Sequence, residues 1–344
     1  MKILLLKPSS LGDVVQAVAV LRLLKKHWPA SEIYWWLAAD LVPLLEGDPD
    51  LSGIIRFERQ RWAAPWRWHE VFHSLRLMRQ QRFDLVIDLQ GLARSGLFAW
   101  LAQGAFTIGL DDPREGAALF YDRIVPRPSA FTHAVDWYLE VLRDLRVPVH
   151  HDFVWWPPHA AAAQAVQAKW RPAGARWLAL GPGARWPNKR WPVEHFVALV
   201  RRLAADRPDL RFVILGGPGD GELGRAIAPG APQRCLDLTG QTSLPEMIEW
   251  IRLAELMITN DTGPMHVAAA LGTPVVALFG PTEPRRTGPY GQLRQVFQAK
   301  LSCVPCLKAS CANPDRFACL RRLDPEGVAQ VVADRLRHAG AAGE

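Results

Sequence analysis

The chain has 344 residues, 49% hydrophobic and 22% charged, with 41 Lys plus Arg against 34 Asp plus Glu and a net charge of +7. At ~100–200 residues per domain this length predicts two domains. The composition excludes a lone small module, a peptide-like scaffold and global disorder. The basic excess suggests an anionic partner without choosing between nucleic acid, phosphorylated sugar and lipid headgroup.

The first strand is expected at Ile3–Leu6. That apolar run is too short for the core of a secretory signal. No stretch reaches the ~20 apolar residues of a membrane span, since Val267–Gly280 is interrupted by Gly272, Thr273 and Pro274. A soluble cytoplasmic protein, or one bound to a membrane surface, is expected. The turn Lys7-Pro8-Ser9-Ser10-Leu11-Gly12-Asp13 follows. Gly12 permits a tight approach to a ligand, and Asp13 opens the helix Val14–His27, where the dipole favours its ionised form. Asp13 is either a cap or, in a cleft, a general base. The Walker spacing is absent.

A second strand is expected at Glu32–Leu37. Arg56–Glu70 interleaves arginine with tryptophan, which suits a lipid–water boundary, stacking on a single strand of nucleic acid, or a packed loop. Helix Glu70–Gln80, strand Leu85–Leu89 and helix Ala93–Leu101 complete the first half. VWWPPHAAAAQ, Val154–Gln164, reads as the linker.

In the second half the strands are Trp177–Leu180, Arg211–Leu215, Leu256–Thr259 and Val275–Phe279. They alternate with helices Glu194–Ala204, Leu244–Leu253 and Pro264–Leu271, the pattern of βαβ units. The loop Pro182–Pro192 brings Lys189 and Arg190 to a strand's carboxyl end, where a cation neutralises a phosphate or is simply solvated. GGPGDGE, Gly216–Glu222, is a glycine-rich strand end that does not match GxGxxG. In TNDTGPMHVAAALG, Thr259–Gly272, a strand turns into a helix whose tip carries the amides of Thr262, Gly263 and Met265, flanked by Asp261 and His266. Such a tip suits a diphosphate. Cys303, Cys306, Cys311 and Cys319 are spaced C-x2-C-x4-C-x7-C. They are either a structural zinc or iron site or reduced thiols; a shell of four thiolates would leave no open catalytic position. A terminal helix begins after Asp324 as N-cap, with Pro325 at its first position. The fold class is therefore α/β, with two doubly wound domains facing a cleft and ligands at the carboxyl ends of the strands.

KPSSLGD, FDLVIDLQGLARS (Phe83–Ser95), PGARWPNKRWP and TNDTGPMHVAAALGTPVVALFGPTEP (Thr259–Pro284), in this order along nearly the whole chain, resemble glycosyltransferase family 9, the ADP-heptose:lipopolysaccharide heptosyltransferases. The resemblance implies a GT-B fold of two Rossmann-like domains. Residues 1–160 would bind the acceptor and residues 161–323 the ADP-sugar, with 324–344 a helix packing back on the first domain. It implies Asp13 as catalytic base and Lys189 as the lysine on the donor phosphates. Glu222 would hold the adenosine ribose, Met247 would pack on adenine, and Asp261, Thr262, Gly263 and His266 would complete the donor site. Ser10, Gly12, Arg59, Arg61 and Arg114 would bind the acceptor, although Ala63 and Ala64 stand where more positive charge is expected.

The implied reaction is inverting transfer of heptose from ADP-L-glycero-D-manno-heptose to the inner core (Kdo or first heptose) of lipopolysaccharide. It would need no catalytic metal or other cofactor and would involve no nucleic acid. The place implied is the cytoplasmic face of the inner membrane, to which the protein would attach peripherally. In protein-modifying relatives a cysteine-bound iron is implied. The competing readings are a family 9 transferase with a protein or another glycan as acceptor, a sugar-nucleotide epimerase on the same scaffold, and a non-catalytic polyanion-binding protein using the Trp/Arg segment.

Overall fold

The computed structural model describes residues 1–58, 61–112 and 114–341. The chain divides into two compact units, Met1–Trp155 and Trp156–Glu344.

The first unit runs β1 (Lys2–Leu6), α1 (Leu11–His27), β2 (Glu32–Ala38), α2 (Val42–Leu45), β3 (Gly53–Phe57), α3 (Trp68–Gln81), β4 (Leu85–Asp88), α4 (Ala93–Leu101), β5 (Phe106–Leu110), β6 (Arg123–Val125) and α5 (Ala134–Asp144). Its sheet has the order β3-β2-β1-β4-β5-β6, and every pairing is parallel. The central strands are continuous apolar runs because helices cover both faces. Ile3, Leu4, Leu5 and Leu6 of β1, and Val86 and Ile87 of β4, are fully buried. On one face α1 packs beside α5. On the other, Leu75 and Met78 of α3 and Phe98 and Ala99 of α4 close a core around Trp36 and Phe57.

The second unit runs α6 (Ala160–Trp170), β7 (Arg176–Gly181), α7 (Val193–Asp206), β8 (Leu210–Ile214), α8 (Gly221–Ile227), β9 (Cys235–Asp237), α9 (Leu244–Leu253), β10 (Leu256–Asn260), α10 (Gly263–Leu271), β11 (Val275–Phe279), α11 (Pro284–Thr287), β12 (Val296–Gln298), α12 (Ala318–Arg321) and α13 (Pro325–Ala341). Its parallel sheet has the order β12-β11-β10-β7-β8-β9. Both sheets therefore reverse strand order beside their first strand, at β1/β4 and at β7/β10. Such switch points open a ligand crevice at the carboxyl ends of the strands.

Two expectations change. The alanine-rich part of the expected linker is helical. Alanine has the best intrinsic helix propensity, the His159 ring nitrogen accepts from Ala162 N at 3.1 Å as the cap, and α6 lies against α9. The terminal helix, expected to pack on the first domain, sets Val328, Ala329, Val332 and Leu336 into the core of the second unit, against α7. Burial of that apolar stripe is what holds it there.

Candidate active site

In the first unit, β1 delivers its carboxyl end to the tight turn before α1. Asp13 is the third residue of that helix, and its Oδ2 accepts from Ser10 N at 3.0 Å and Ser10 Oγ at 2.7 Å. The carboxylate thus closes a capping box with Ser10, the reciprocal arrangement that fixes a helix start. Gly12 beside it is buried. The expected cap and the expected base are one residue, and the same bonds that satisfy the helix end orient the carboxylate.

Under this turn lies a buried polar cluster that sequence reasoning did not assemble. Lys7 Nζ donates to Leu89 O at 2.9 Å and stands 4.9 Å from the centre of the Tyr138 ring. Burial opposes its charge, but Tyr138 and the carboxylates of Asp13 and Asp88 hold its pKa above the ordinary lysine value. Asp88, at the end of β4, is fully buried. Burial raises its pKa despite bonds from Tyr121 Oη at 2.7 Å, Gln90 N at 2.8 Å and Gly91 N at 3.3 Å. The signal available in sequence was a strand ending in a carboxylate.

Of the expected acceptor residues, Arg114 makes a two-pronged contact with Asp112, Nε to Oδ1 at 2.8 Å and Nη2 to Oδ2 at 2.6 Å. Its guanidinium pKa is raised by that bond first, and the Asp13 charge adds to the effect, so both belong to one electrostatic neighbourhood. Arg61 donates to Glu70 at 2.9 Å. Arg59 lies outside the described residues.

In the second unit the loops after β7, β8, β10 and β11 meet. Lys189, after β7, places Nζ 2.7 Å from Oδ2 of Asp261, after β10. Thr282, after β11, donates to the same Oδ2 at 2.5 Å. The ammonium also stands 4.8 Å from the centre of the Trp186 ring. Asn260 braces the crevice, accepting from Trp191 N at 3.0 Å and donating to Pro182 O at 2.7 Å.

Thr262 is the N-cap of α10, with Pro264 in its first turn. Met265 N donates to Thr262 O at 3.1 Å. The tip therefore offers the amides of Thr262 and Gly263, which precede the first intrahelical bond, and not that of Met265. His266 follows in the first turn and is half-buried. On the β8 side, Asp220 caps Gly217 N at 2.9 Å and sits so close to the β7 loop that a Cβ on Gly183 would lie 2.4 Å from its Oδ2. Glu222 is exposed in the first turn of α8, and Met247 is buried in the first turn of α9.

The structure thus gathers Lys189, Asp261, Thr262 and Gly263, and adds Thr282. What the arrangement can do is hold a diphosphate, with an ammonium and a helix tip on developing negative charge.

The four cysteines are free thiols, with Cys303 exposed. Cys303 Sγ accepts from Asn313 Nδ2 and Cys311 Sγ from Phe317 N, each at 3.4 Å. The latter bond holds the Cys311 thiol below the usual range, while burial first and the neighbouring thiols second push Cys319 up. Among the described residues no group of three or more His, Cys, Asp or Glu is placed to hold a metal ion. Of the two readings of Cys303, Cys306, Cys311 and Cys319, the structure shows reduced thiols and does not show the zinc or iron site. Among the described residues no helix is long and apolar enough to cross a membrane.

The family model described as glycosyltransferase family 9 (heptosyltransferase) matches residues 71–316. Lipopolysaccharide heptosyltransferase 1 of Pseudomonas aeruginosa is 28% identical over 359 residues, covering 96% of each chain. Lipopolysaccharide heptosyltransferase 2 of Escherichia coli K12 is 28% identical over 314 residues, covering 87% of this chain and 88% of that one. The solved structure of the E. coli ADP-heptose lipopolysaccharide heptosyltransferase II superposes with a TM-score of 0.78 at 23% identity, over 99% of this chain and 100% of that chain. With two parallel doubly wound units, the chain has the GT-B fold; it belongs to glycosyltransferase family 9 and is a glycosyltransferase.

Proposed function

We propose that this chain is an inverting heptosyltransferase that moves heptose from ADP-L-glycero-D-manno-heptose to the Kdo or first heptose of the lipopolysaccharide inner core. The observation that carries the donor half is the contact of Lys189 with Asp261 at the α10 tip. An ammonium has three donors. One is engaged by Asp261, which leaves two for phosphate oxygens. As the glycosidic C–O bond breaks, its electron pair goes to the diphosphate, whose added charge Lys189 and the amides of Thr262 and Gly263 stabilise. Fixed donors of this kind do the work that a divalent cation does elsewhere, so the reaction runs without a catalytic metal. Glu222 holds the ribose, Met247 supports the adenine side, and His266 completes the donor loop.

Asp13 acts as the general base. An acceptor hydroxyl is a poor nucleophile until its proton is removed, and a positioned base contributes about 10²–10⁴-fold. The Ser10 bonds orient the carboxylate, and the nearby Lys7 ammonium favours its ionised form. Arg59, Arg61 and Arg114 supply cations for the anionic acceptor. The names of the relatives, lipopolysaccharide heptosyltransferases of types 1 and 2, support a lipid-linked acceptor. Such an acceptor places the protein peripherally on the cytoplasmic face of the inner membrane.

The test is incubation of the purified protein with ADP-heptose and a set of Kdo-bearing and heptosylated acceptors, read by mass. Addition of one heptose to one of these acceptors is expected. Donor consumption without glycan product, or transfer to a protein only, would reject the assignment.

A further inference from the structure

We propose that the α3–α4 face of the first unit seats on an anionic phospholipid surface. This rests on the lipid-linked acceptor proposed above and names the surface that would bring the protein to it.

The face is unusually rich in exposed aromatic rings. Trp66 is 78% exposed, Phe72 68%, Trp100 60% and Trp68 55%. Helical geometry aligns them. At 3.6 residues per turn, Trp68, Phe72, Arg76 and Arg79 fall within an arc of about 80° on α3. Leu97, Trp100 and Leu101 fall within an arc of about 100° on α4. The two arcs meet at a groove of about 500 Å³, whose lining includes Phe72, Leu75, Arg76, Arg79, Arg82 and Leu101. Arg79 Nε donates to Leu101 O at 2.8 Å and ties the helices together there.

The charge on this face has one sign. Among the described residues no carboxylate lines the groove. The one acid of α3, Glu70, is held by Arg61 at 2.9 Å and Arg67 at 3.0 Å, and α4 carries none. Among the described residues Arg76 and Arg82 have no acidic partner, and both are exposed.

Exposed tryptophan and phenylalanine beside arginine match the two layers of a bilayer interface. Rings enter the boundary of acyl chain and headgroup, while guanidinium groups reach the lipid phosphates. A second copy of this chain is a poorer occupant. A two-fold contact would set the same arginines of both copies against one another with no carboxylate between them.

Flotation with vesicles of equimolar phosphatidylethanolamine and phosphatidylglycerol, free of any glycan acceptor, tests this directly. The protein is expected to bind them, to bind phosphatidylcholine vesicles about tenfold less, and to release as salt is raised. Phe72→Ser/Trp100→Ser and Arg76→Gln/Arg82→Asn should each weaken binding about tenfold or more. Both pairs should keep wild-type circular dichroism and wild-type kcat/KM on an acceptor stripped of acyl chains. Leu253→Ser, an exposed apolar position of the second unit, should bind vesicles as wild type does.

Vesicle binding unchanged in both pairs would overturn the proposal. So would wild-type self-association in lipid-free sedimentation that these substitutions abolish, or tighter binding of a single-stranded DNA oligomer to the same face. Because the vesicles contain no acceptor, vesicle binding without heptose transfer would sink the proposed reaction and leave this surface standing. Transfer without vesicle binding would do the reverse.

Discussion

Lys189 Nζ lies 2.7 Å from Asp261 Oδ2, joining the loop after β7 to the loop after β10 across the sheet's switch point. Both groups are largely shielded, with 18% and 5% of their side chains exposed. Thr282 adds a third loop through the same oxygen. The pair holds the ammonium in place before a ligand arrives, which lowers the ordering cost of binding a diphosphate. Lys189→Ala should therefore weaken ADP binding and slow turnover, each by about tenfold or more. Asp261→Asn, which keeps the shape but frees the ammonium, should disturb turnover more than affinity. Calorimetric titration with ADP beside steady-state kinetics separates the two. Unchanged kinetics in Lys189→Ala would remove it from the phosphate site.

Asp13 is held by two bonds from Ser10 above a buried ammonium, that of Lys7. Asp13→Asn retains size and part of the cap but cannot accept a proton, so turnover should fall by about 10²–10⁴-fold with ADP-heptose binding intact. Lys7→Met removes the cation that favours the ionised carboxylate. The acid limb of its pH–kcat/KM profile should therefore move to higher pH. A profile superimposable on the wild type would show that Lys7 serves packing alone.

Gly183 is the close approach between the loops after β7 and β8. A methyl group there meets Asp220 Oδ2 at 2.4 Å, and Asp220 is also the cap of Gly217. Gly183→Ala should destabilise the protein by about 1–3 kcal/mol, the usual cost of overpacking, and loosen the loop that leads to Glu222. Pairing it with Asp220→Ala removes the clash, so the double variant should lose less than the sum of the two single losses in a urea melt. Strict additivity would mean that the two residues do not collide.

At the opposite end of the second sheet, Asp209 accepts from Arg207 at 2.8 Å and from Arg176 at 2.8 Å. The bond with Arg207, foremost, holds its carboxyl at about 2, below the ordinary ~3.9. A depressed carboxylate contributes stability that is present above its unfolded value and is lost as pH falls through its folded value. Asp209→Asn should thus lower the melting temperature at neutral pH, with the gap to wild type closing as pH falls from about 4 towards 2. The side chain is 43% exposed, so solvent screening keeps the loss under about 1 kcal/mol. A gap that stayed constant across this range would remove the ionic contribution.

The central strands were legible because a sheet covered on both faces writes them as unbroken apolar runs, as in Ile3–Leu6 and Val275–Phe279. The edges, and the inner strand β5, were not. β6, β9 and β12 have three residues each, β3 carries Gly53 and Arg56, and Thr107 and Gly109 interrupt the apolar run of β5, so neither length nor alternation marks them. The alanine run at Ala160 hid a helix because its low hydrophobic contrast gives no face to read. The turns and helix starts of the candidate site were legible wherever turn, cap and charge are contiguous, as at Ser10–Asp13 and Asp261–His266. It was illegible where chemistry depends on contacts across the sheet. Nothing local pairs Lys189 with Asp261 and Thr282, or brings Lys7, Tyr138 and Asp88 beneath Asp13. Spacing alone likewise left the cysteines of Cys303–Cys319 open between a metal site and thiols, because it does not fix how the thiols face one another.

Removal of metal ions tests the donor chemistry as a whole. In the proposed reaction the charge that develops on the leaving diphosphate is met by Lys189 and by the amides of Thr262 and Gly263, all fixed by the fold. Fixed donors need no exchangeable ion, so EDTA should leave heptose transfer at its untreated rate, and added magnesium should not raise it. Lys189→Ala offers the sharper form of the experiment. If the ammonium does the work of a cation, excess magnesium should restore little of the lost activity, since among the described residues no group of three or more His, Cys, Asp or Glu is placed to hold a metal ion. Full loss in EDTA with recovery in magnesium, at unchanged circular dichroism, would contradict this division of labour. The dichroism control separates loss of an ion needed for the reaction from loss of the fold.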